Sequence, residues 1–488
     1  MELILLGNDF KYELEKLCRI FLPFEKINIV SEKVSTENYA LAEIRKAGES
    51  LICSAELCLS GETAAFSEEI PFKSDDKARE LKLAQCLFKC FCRLTGYKSS
   101  WGILTGVRPA KLFANLCRKQ GKDETKNYFS NELFVSDNKI SLCEETFGIE
   151  EEIINKSEKD WFSLYISIPF CPTRCAYCSF VSHSISGAKK LVPDYVKLLC
   201  KEIEQTAKIA KQCNLKLKTV YMGGGTPTSI TPLQMDEILS AVEKNFDLSE
   251  VLEFTVEAGR PDTVNSEMLG VLKKHNISRI SINPQTMNDE VLKTIGRNHT
   301  AKMVVDAFNL ARQMGFNNIN MDLIAGLPGD TAESFKETVD KLLYLSPESI
   351  TVHSLAMKRA SDLTAQGVLH TVKSGKTAET MVEYARKALT EKGILPYYMY
   401  RQSKTVGNLE NVGYAKKGYE SLYNVYIMDE THTILGVGAS AVTKLKSPNG
   451  PEISRIFNFK YPYEYISRYD ELAERKKGIA EFYEQYGG

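Results

Sequence analysis

Six short strand-like runs, at 163–168, 219–222, 253–257, 279–283, 318–324 and 349–355, divide the middle of this chain, and stretches with helical periodicity separate them. Two of those stretches carry start signals. Thr231-Pro232 with Gln234 supplies an N-cap, a proline at the first helical position and a capping-box partner, and Asp330 with Glu333 repeats the pattern. A further helical stretch at 376–392 follows the sixth run. Strands separated by helices pair in parallel, and right-handed crossovers in series curl the sheet. Six units fall short of the eight of a closed barrel, so the expectation is an α/β fold built on a partial (β/α)6 barrel.

At 488 residues the chain exceeds one ordinary domain. Upstream of the repeat, 1–30 reads as strand–helix–strand and 51–72 as a hairpin or edge strands. The stretch 75–94 carries Leu81, Ala84, Leu87, Phe88, Phe91 and Leu94 at helical spacing. A charged run at 150–160 marks a boundary. The expected division is an N-terminal α/β accessory domain (1–155), the barrel core (156–392) and a small aromatic-rich α/β cap (393–488).

Lys and Arg number 62 against 63 Asp and Glu, a formal charge of −1, which removes any composition-level case for a nucleic-acid partner. No apolar run reaches the roughly 20 residues of a spanning helix, and MELILLGNDF is too short and too acidic for a signal peptide. The expected location is cytoplasmic. Thirteen cysteines there would be thiols or metal ligands, and all lie between Cys18 and Cys213.

Just after the first barrel strand stands YISIPFCPTRCAYCSF, which sets Cys171, Cys175 and Cys178 as C-x3-C-x2-C. A structural zinc site wants a fourth ligand, and no fourth cysteine or C-x-H pair is near. Three thiolates on one short loop can each take one iron of a cubane cluster, leaving the fourth iron open to a small molecule. A chance spacing is the plain alternative in a cysteine-rich chain. Cys86 and Cys90, four apart on the 75–94 stripe beside Leu87 and Phe91, read as small buried hydrophobes. What favours the loop is its company at successive strand ends: Gly223-Gly224-Gly225, Glu257, Asn283-Pro284-Gln285 with Arg297, and Asp322. Core packing would put apolar residues there.

Together YISIPFCPTRCAYC, GGGTP, the strand-end Glu257, Gln285, IGRNH and DLIAGLP resemble the radical S-adenosylmethionine enzymes. More narrowly they resemble the oxygen-independent coproporphyrinogen III oxidase group. The N-terminal part with GVRPAK is similar to its coproporphyrinogen dehydrogenase (HemZ) branch. The resemblance implies a 4Fe-4S cluster on Cys171, Cys175 and Cys178, with S-adenosylmethionine on the open iron. It sets Tyr165 against cluster and cofactor, Gly224, Gly225 and Thr226 at the methionine end and Glu257 at the ribose. Gln285, Arg297 and Asp322 supply further polar contacts, and Tyr177 and Ala356 match contacts as well. Two positions depart from the family: Ser167 stands where its oxidases often carry His, and Phe180 where they tend to carry a further cysteine.

The resemblance also implies a reaction. An electron from flavodoxin or ferredoxin cleaves the cofactor, and the resulting radical takes hydrogen from a propionate of a tetrapyrrole substrate. Loss of carbon dioxide and an electron leaves a vinyl group. Such a substrate needs cationic partners, for which Lys358, Arg359 and Arg401 are candidates against the plainer reading of solvated surface charge. His353, beside the sixth strand, is a candidate axial ligand or a satisfied interior histidine. The rival readings are a haem-degrading radical enzyme of the same group and a non-catalytic haem-trafficking protein.

Overall fold

In a computed structural model the chain forms two compact units, and the structure describes residues 1–32, 36–178, 182–356 and 372–487. The first unit is built on Met1–Phe147 with two return segments, described residues 372–379 and Tyr400–Glu410, and the second on the remaining described residues from Gly148 onward.

In the first unit the expected strand–helix–strand is β1 (Glu2–Leu6), a helix at Lys11–Phe21 and β2 (Asn28–Val30), parallel to β1. An additional strand, β3 (Tyr39–Ala47), leads into the expected hairpin of β4 (Ser50–Leu59) and β5 (Glu62–Pro71). That hairpin turns through Ser60 and Gly61, both at positive φ, as a tight two-residue turn requires. The sheet order is β2-β1-β3-β4-β5. The expected helix spans Asp76–Thr95, capped by the Asp75 side chain on the Ala78 amide and closed by the left-handed Gly96. It lays Cys86, Leu87, Phe88, Cys90 and Phe91 against the sheet.

The second unit contains all six expected strands: β6 (Trp161–Ile168), then, after the short β7 (Phe170–Cys171) and β8 (His183–Ser184), β9 (Lys216–Gly224), β10 (Glu253–Glu257), β11 (Arg279–Ser281), β12 (Ile319–Ala325) and β13 (Ser349–Ser354). The six pair in parallel in chain order, β6-β9-β10-β11-β12-β13. The later strands are β14 (Leu395–Arg401), β15 (Glu410–Ala415), β16 (Thr433–Val437), β17 (Val442–Lys446) and β18 (Ile453–Phe457). They extend the same eleven-stranded sheet, with β15 antiparallel to β13 and β16 parallel to β6. Thr231 caps its helix with a full capping box. At the second start signal the cap is Thr331, not Asp330: its hydroxyl takes the Ser334 amide, while Asp330 accepts from the Thr331 amide one residue earlier. Among the described residues no helix is long and apolar enough to cross a membrane.

A parallel sheet covered by helices is ordinarily apolar on both faces. Here one face is polar. Phe162, Leu164, Ile166 and Ile168 of β6 alternate with Ser163, Tyr165 and Ser167. Val220 and Met222 alternate with Thr219 and Tyr221, Phe254 and Val256 with Thr255 and Glu257, Met321 and Leu323 with Asn320 and Asp322. The polar set is joined across strands: the Thr219 hydroxyl donates to Ser163 at 2.6 Å, Asn320 to Ser281 at 3.1 Å and Thr351 to Asn320 at 3.2 Å. Helices take the apolar face, so the chemistry is confined to the other.

Candidate functional site

The cysteine loop leaves β6 at Pro169 and is held by the loop that follows β9. The Gly225 amide donates to Ile168 O at 2.8 Å and the Thr226 amide to Phe170 O at 2.7 Å. This contact requires glycine. A Cβ on Gly225 would lie 2.6 Å from Phe170 O and 2.9 Å from the Cys171 sulfur, and Gly224 sits at φ +111°. The Thr226 hydroxyl then reaches Cys171 Sγ at 3.5 Å. Cys175 is buried, Cys171 and Cys178 are half-buried, and all three are free thiols.

Next along the polar face is Glu257, at the end of β10. It accepts from the Tyr221 hydroxyl at 2.5 Å. Tyr221 stacks on Tyr423 (centroids 4.5 Å apart), and both stack more loosely on Tyr165 at 6.3 Å. Tyr423 is placed by the helix Leu422–Asp429, whose first turn is anchored by Glu253: that carboxylate accepts from the Ser421 hydroxyl and the Leu422 amide. Burial pushes the Glu257 carboxyl up to about 7; the nearby Asp322 carboxylate adds to that, and the Tyr221 hydrogen bond opposes it. Asp322 behaves in the opposite way. Burial raises it, but His353, Asn320 and Thr351 outweigh burial and hold it below the usual carboxylate range. His353 Nε2 lies 3.8 Å from Asp322, so this histidine is a half-buried partner of a mouth carboxylate.

Gln285 is buried at φ +69°, its backbone bridging to β12 through the Asp322 carbonyl and the Ile324 amide. That strained conformation sets its side chain, whose Oε1 has no partner in the protein. Asn283 Oδ1 and Arg297 Nε are likewise buried and unpartnered. The rest of the Arg297 fork donates to Asn283 O at 3.1 Å and to the Tyr177 hydroxyl at 2.9 Å. Ala356 follows β13 and is half-buried. Thus Gly224, Gly225, Thr226, Glu257, Gln285 and Arg297 fall on strand ends or loops of one sheet, with the cysteine loop and Tyr177 beside them, while Tyr165 and Asp322 lie within β6 and β12 on its polar face.

Of the three cationic candidates, the structure describes only Arg401. Lys358 and Arg359 lie outside the described residues, as does Phe180. Arg401 is 3 % exposed and spends its guanidinium on Leu104 O, Gly106 O and Asn408 O of the first unit, over the Trp101 ring. It is a structural cation, neither a surface charge nor a free substrate partner. Conversely, residue patterns passed over Tyr221, Tyr423, Arg260 and His299. Tyr221 was legible in the polar alternation of β9; Tyr423 comes from a distant helix and left no local signal.

Among the described residues no three His, Cys, Asp or Glu side chains already converge as a metal site. The fit of a cluster and its cofactor rests on three other observations: three thiols on one loop, a glycine cradle that any Cβ would fill, and buried polar atoms aimed at no protein partner. These suit a sulfur-ligated cluster with a polar organic ligand next to it.

Comparison with known proteins agrees. Residues 165–342 match the radical SAM superfamily. The chain is 40% identical over 420 residues, 85% of its length and 83% of the relative's, to the oxygen-independent coproporphyrinogen-III oxidase-like protein HemZ of Bacillus subtilis. It is 35% identical to the heme chaperone HemW of the same organism, over 57% of this chain and 70% of that one. Among solved structures, coproporphyrinogen III oxidase (HemN) of Escherichia coli shares the fold, with a TM-score of 0.52 and 22% identity over 66% of this chain and 72% of that one. The chain therefore belongs to the radical SAM superfamily, whose cofactors are a 4Fe-4S cluster and S-adenosylmethionine, and within it to the family of the oxygen-independent coproporphyrinogen-III oxidase-like proteins.

Proposed function

We propose that this chain is an enzyme that converts propionate side chains of coproporphyrinogen III to vinyl groups without oxygen. The observation that carries the reading is the polar face of the sheet, which ends in Glu257, Asp322 and Gln285 beside the glycine cradle and cysteine loop. In this reading Cys171, Cys175 and Cys178 hold the cluster. Gly224, Gly225 and Thr226 receive the methionine end of the cofactor and Glu257 its ribose, with Tyr165, Tyr177, Gln285, Arg297, Asp322 and Ala356 completing the contacts. When bound, the two groups supply a hydrogen-abstracting radical, given one electron from a flavodoxin or ferredoxin. The chain's own task is to orient and to exclude water. The Tyr165–Tyr221–Tyr423 stack fills the polar face with aromatic surface, and the Arg297 fork fixes the Tyr177 hydroxyl.

A second reading has its own support: several relatives are heme chaperones, and Ser167 stands where the family's oxidases often carry His. One experiment separates the two. Reconstituted protein is incubated anaerobically with coproporphyrinogen III, S-adenosylmethionine and a flavodoxin reductant. Product lighter by carbon dioxide and two hydrogens per propionate, with 5′-deoxyadenosine released, supports the enzyme; tight haem binding without either product supports a chaperone. Consumption of haem with deoxyadenosine release would point to the haem-degrading alternative.

A further inference from the structure

Outside the residues already given roles, one buried cation faces the cysteine loop. Arg260 follows Glu257 by three residues and is 3 % exposed. Its Nε and Nη2 donate to the two oxygens of Asp262 at 2.9 and 3.0 Å, a bidentate clamp that fixes the plane of the guanidinium. The remaining nitrogen, Nη1, points away from Asp262 into the loop. It lies 3.2 Å from Thr173 Oγ1, 3.5 Å from Thr173 O and 3.9 Å from Cys175 Sγ.

We propose that Arg260, locked by Asp262, is a positioning residue that donates to the Cys175 thiolate and sets the reduction potential of the cluster. The proposal rests on the reading of Cys175 as an iron ligand. A cluster on three thiolates gains negative charge when reduced. A donor and positive charge near a ligand sulfur stabilise that reduced form, and hydrogen bonds to the sulfurs are among the levers that set such potentials. Burial strengthens the effect, because little water screens the guanidinium. Asp262 offsets part of the charge but sits on the far side of the fork, so the nitrogen nearest sulfur is the cationic end. The neighbouring His299 adds no further positive charge: it is buried, and burial with the adjoining Arg297 and Arg260 holds it down to about 4. Arg297 also lies against Cys175, while its Nη1 and Nη2 donate to two backbone carbonyls and to Tyr177.

The test uses the full chain, reconstituted anaerobically without tetrapyrrole, so the outcome is independent of which substrate is turned over. Iron and sulfide content and an EPR-monitored redox titration are read for wild type, R260Q, R260K and D262N. R260Q should keep four irons per chain yet titrate at a more negative potential, remaining mostly oxidised where wild type is half reduced. R260K, which keeps the charge but not the clamp, should fall between them, and D262N, which removes the carboxylate that offsets the guanidinium, should shift the other way, to a less negative potential. An R260Q midpoint equal to wild type with full iron content overturns the proposal. Should R260Q fail to load a cluster, R260K gives the same reading, and its unshifted midpoint would likewise overturn it. C175A serves as the separate check on the underlying reading: retention of the four-iron cluster there removes Cys175 as a ligand, whatever the potentials show.

Discussion

Buried thiols and carboxylates occur in both units, and the two units treat them differently. In the first, Cys86 and Cys90 are fully buried and donate outward, to Cys53 O at 3.6 Å and Ala55 O at 3.4 Å. Burial pushes them up to about 11 and about 12, so both are protonated at any physiological pH. In the second, donors point at sulfur: the Thr226 hydroxyl at Cys171 and Arg260 at Cys175. The carboxylates repeat the contrast. Glu410 of the first unit is buried, which alone would raise it, but the Lys139 ammonium at 2.7 Å and the Trp101 indole at 2.7 Å hold it below the usual range. Glu257 of the second has a phenol for company and stays up near 7. Glu410 is closed by a cation and a donor of its own unit, whereas at the sheet mouth Gln285 Oε1, Asn283 Oδ1 and Arg297 Nε have no partner in the protein.

The largest expected effect follows from the thiols. Replacing Cys171, Cys175 or Cys178 with Ala should abolish four-iron content on anaerobic reconstitution, measured as iron and sulfide per chain. The C86A/C90A double variant should load fully and lose only on the order of 1 kcal/mol of stability per site, the common cost of a buried truncation. Loss of iron in that double variant would erase the contrast.

The carboxylates come next. Truncating Lys139 to Ala leaves Glu410 buried and without its cation, which should cost about 3–5 kcal/mol in denaturant unfolding of the first unit. Truncating Glu257 to Ala removes a half-buried carboxyl with no ion pair as close as that of Glu410, so stability should fall far less. Its effect should appear in S-adenosylmethionine affinity, weaker by roughly ten- to a hundredfold for the loss of one charge-assisted hydrogen bond worth about 1.5–3 kcal/mol, with iron content unchanged. Equal destabilisation by both substitutions would show that the two carboxylates play one structural role.

How much of this was legible beforehand differs by region in the same way. The six parallel strands, the hairpin and the 75–94 helix were readable because hydrophobic period and turn residues are local signals. The cysteine loop and most mouth residues were readable because strand ends gather in parallel sheets, so motifs scattered over more than 150 residues of chain share one place. Arg401, read as a substrate cation or a solvated surface charge, is neither: its partners are three backbone carbonyls, which carry no side-chain signature. Tyr423 and Arg260 were invisible for related reasons. One arrives on a helix anchored by Glu253 from the opposite part of the sequence; the other looks like a solvated Arg-Pro-Asp turn until the clamp on Asp262 aims it inward.

The smallest effect sharpens the carboxylate contrast most, since it depends on one hydroxyl. The charged and titratable groups around Glu257 are Asp322 of β12, His353 of β13 and the buried Arg279 of β11, and Tyr221 is its hydrogen-bond donor. With Glu257 near 7, the folded chain holds a proton there that an unfolded chain would release near 4.5, so burial of this group costs stability increasingly as pH rises between those values. Cofactor affinity should run the other way, rising roughly tenfold from pH 6 to pH 8 as the carboxylate forms. In Tyr221→Phe the stack on Tyr423 is retained but the hydrogen bond favouring the anion is lost, so Glu257 should move further up. At pH 7 the affinity of cluster-loaded Y221F for S-adenosylmethionine should fall about three- to tenfold, and the deficit should shrink as pH is raised to 9. A deficit of the same size at every pH would mean that the hydroxyl meets the cofactor itself; no deficit at pH 7 would mean that Glu257 does not bind as an anion, and the open carboxylate of the second unit would be as structural as Glu410 in the first.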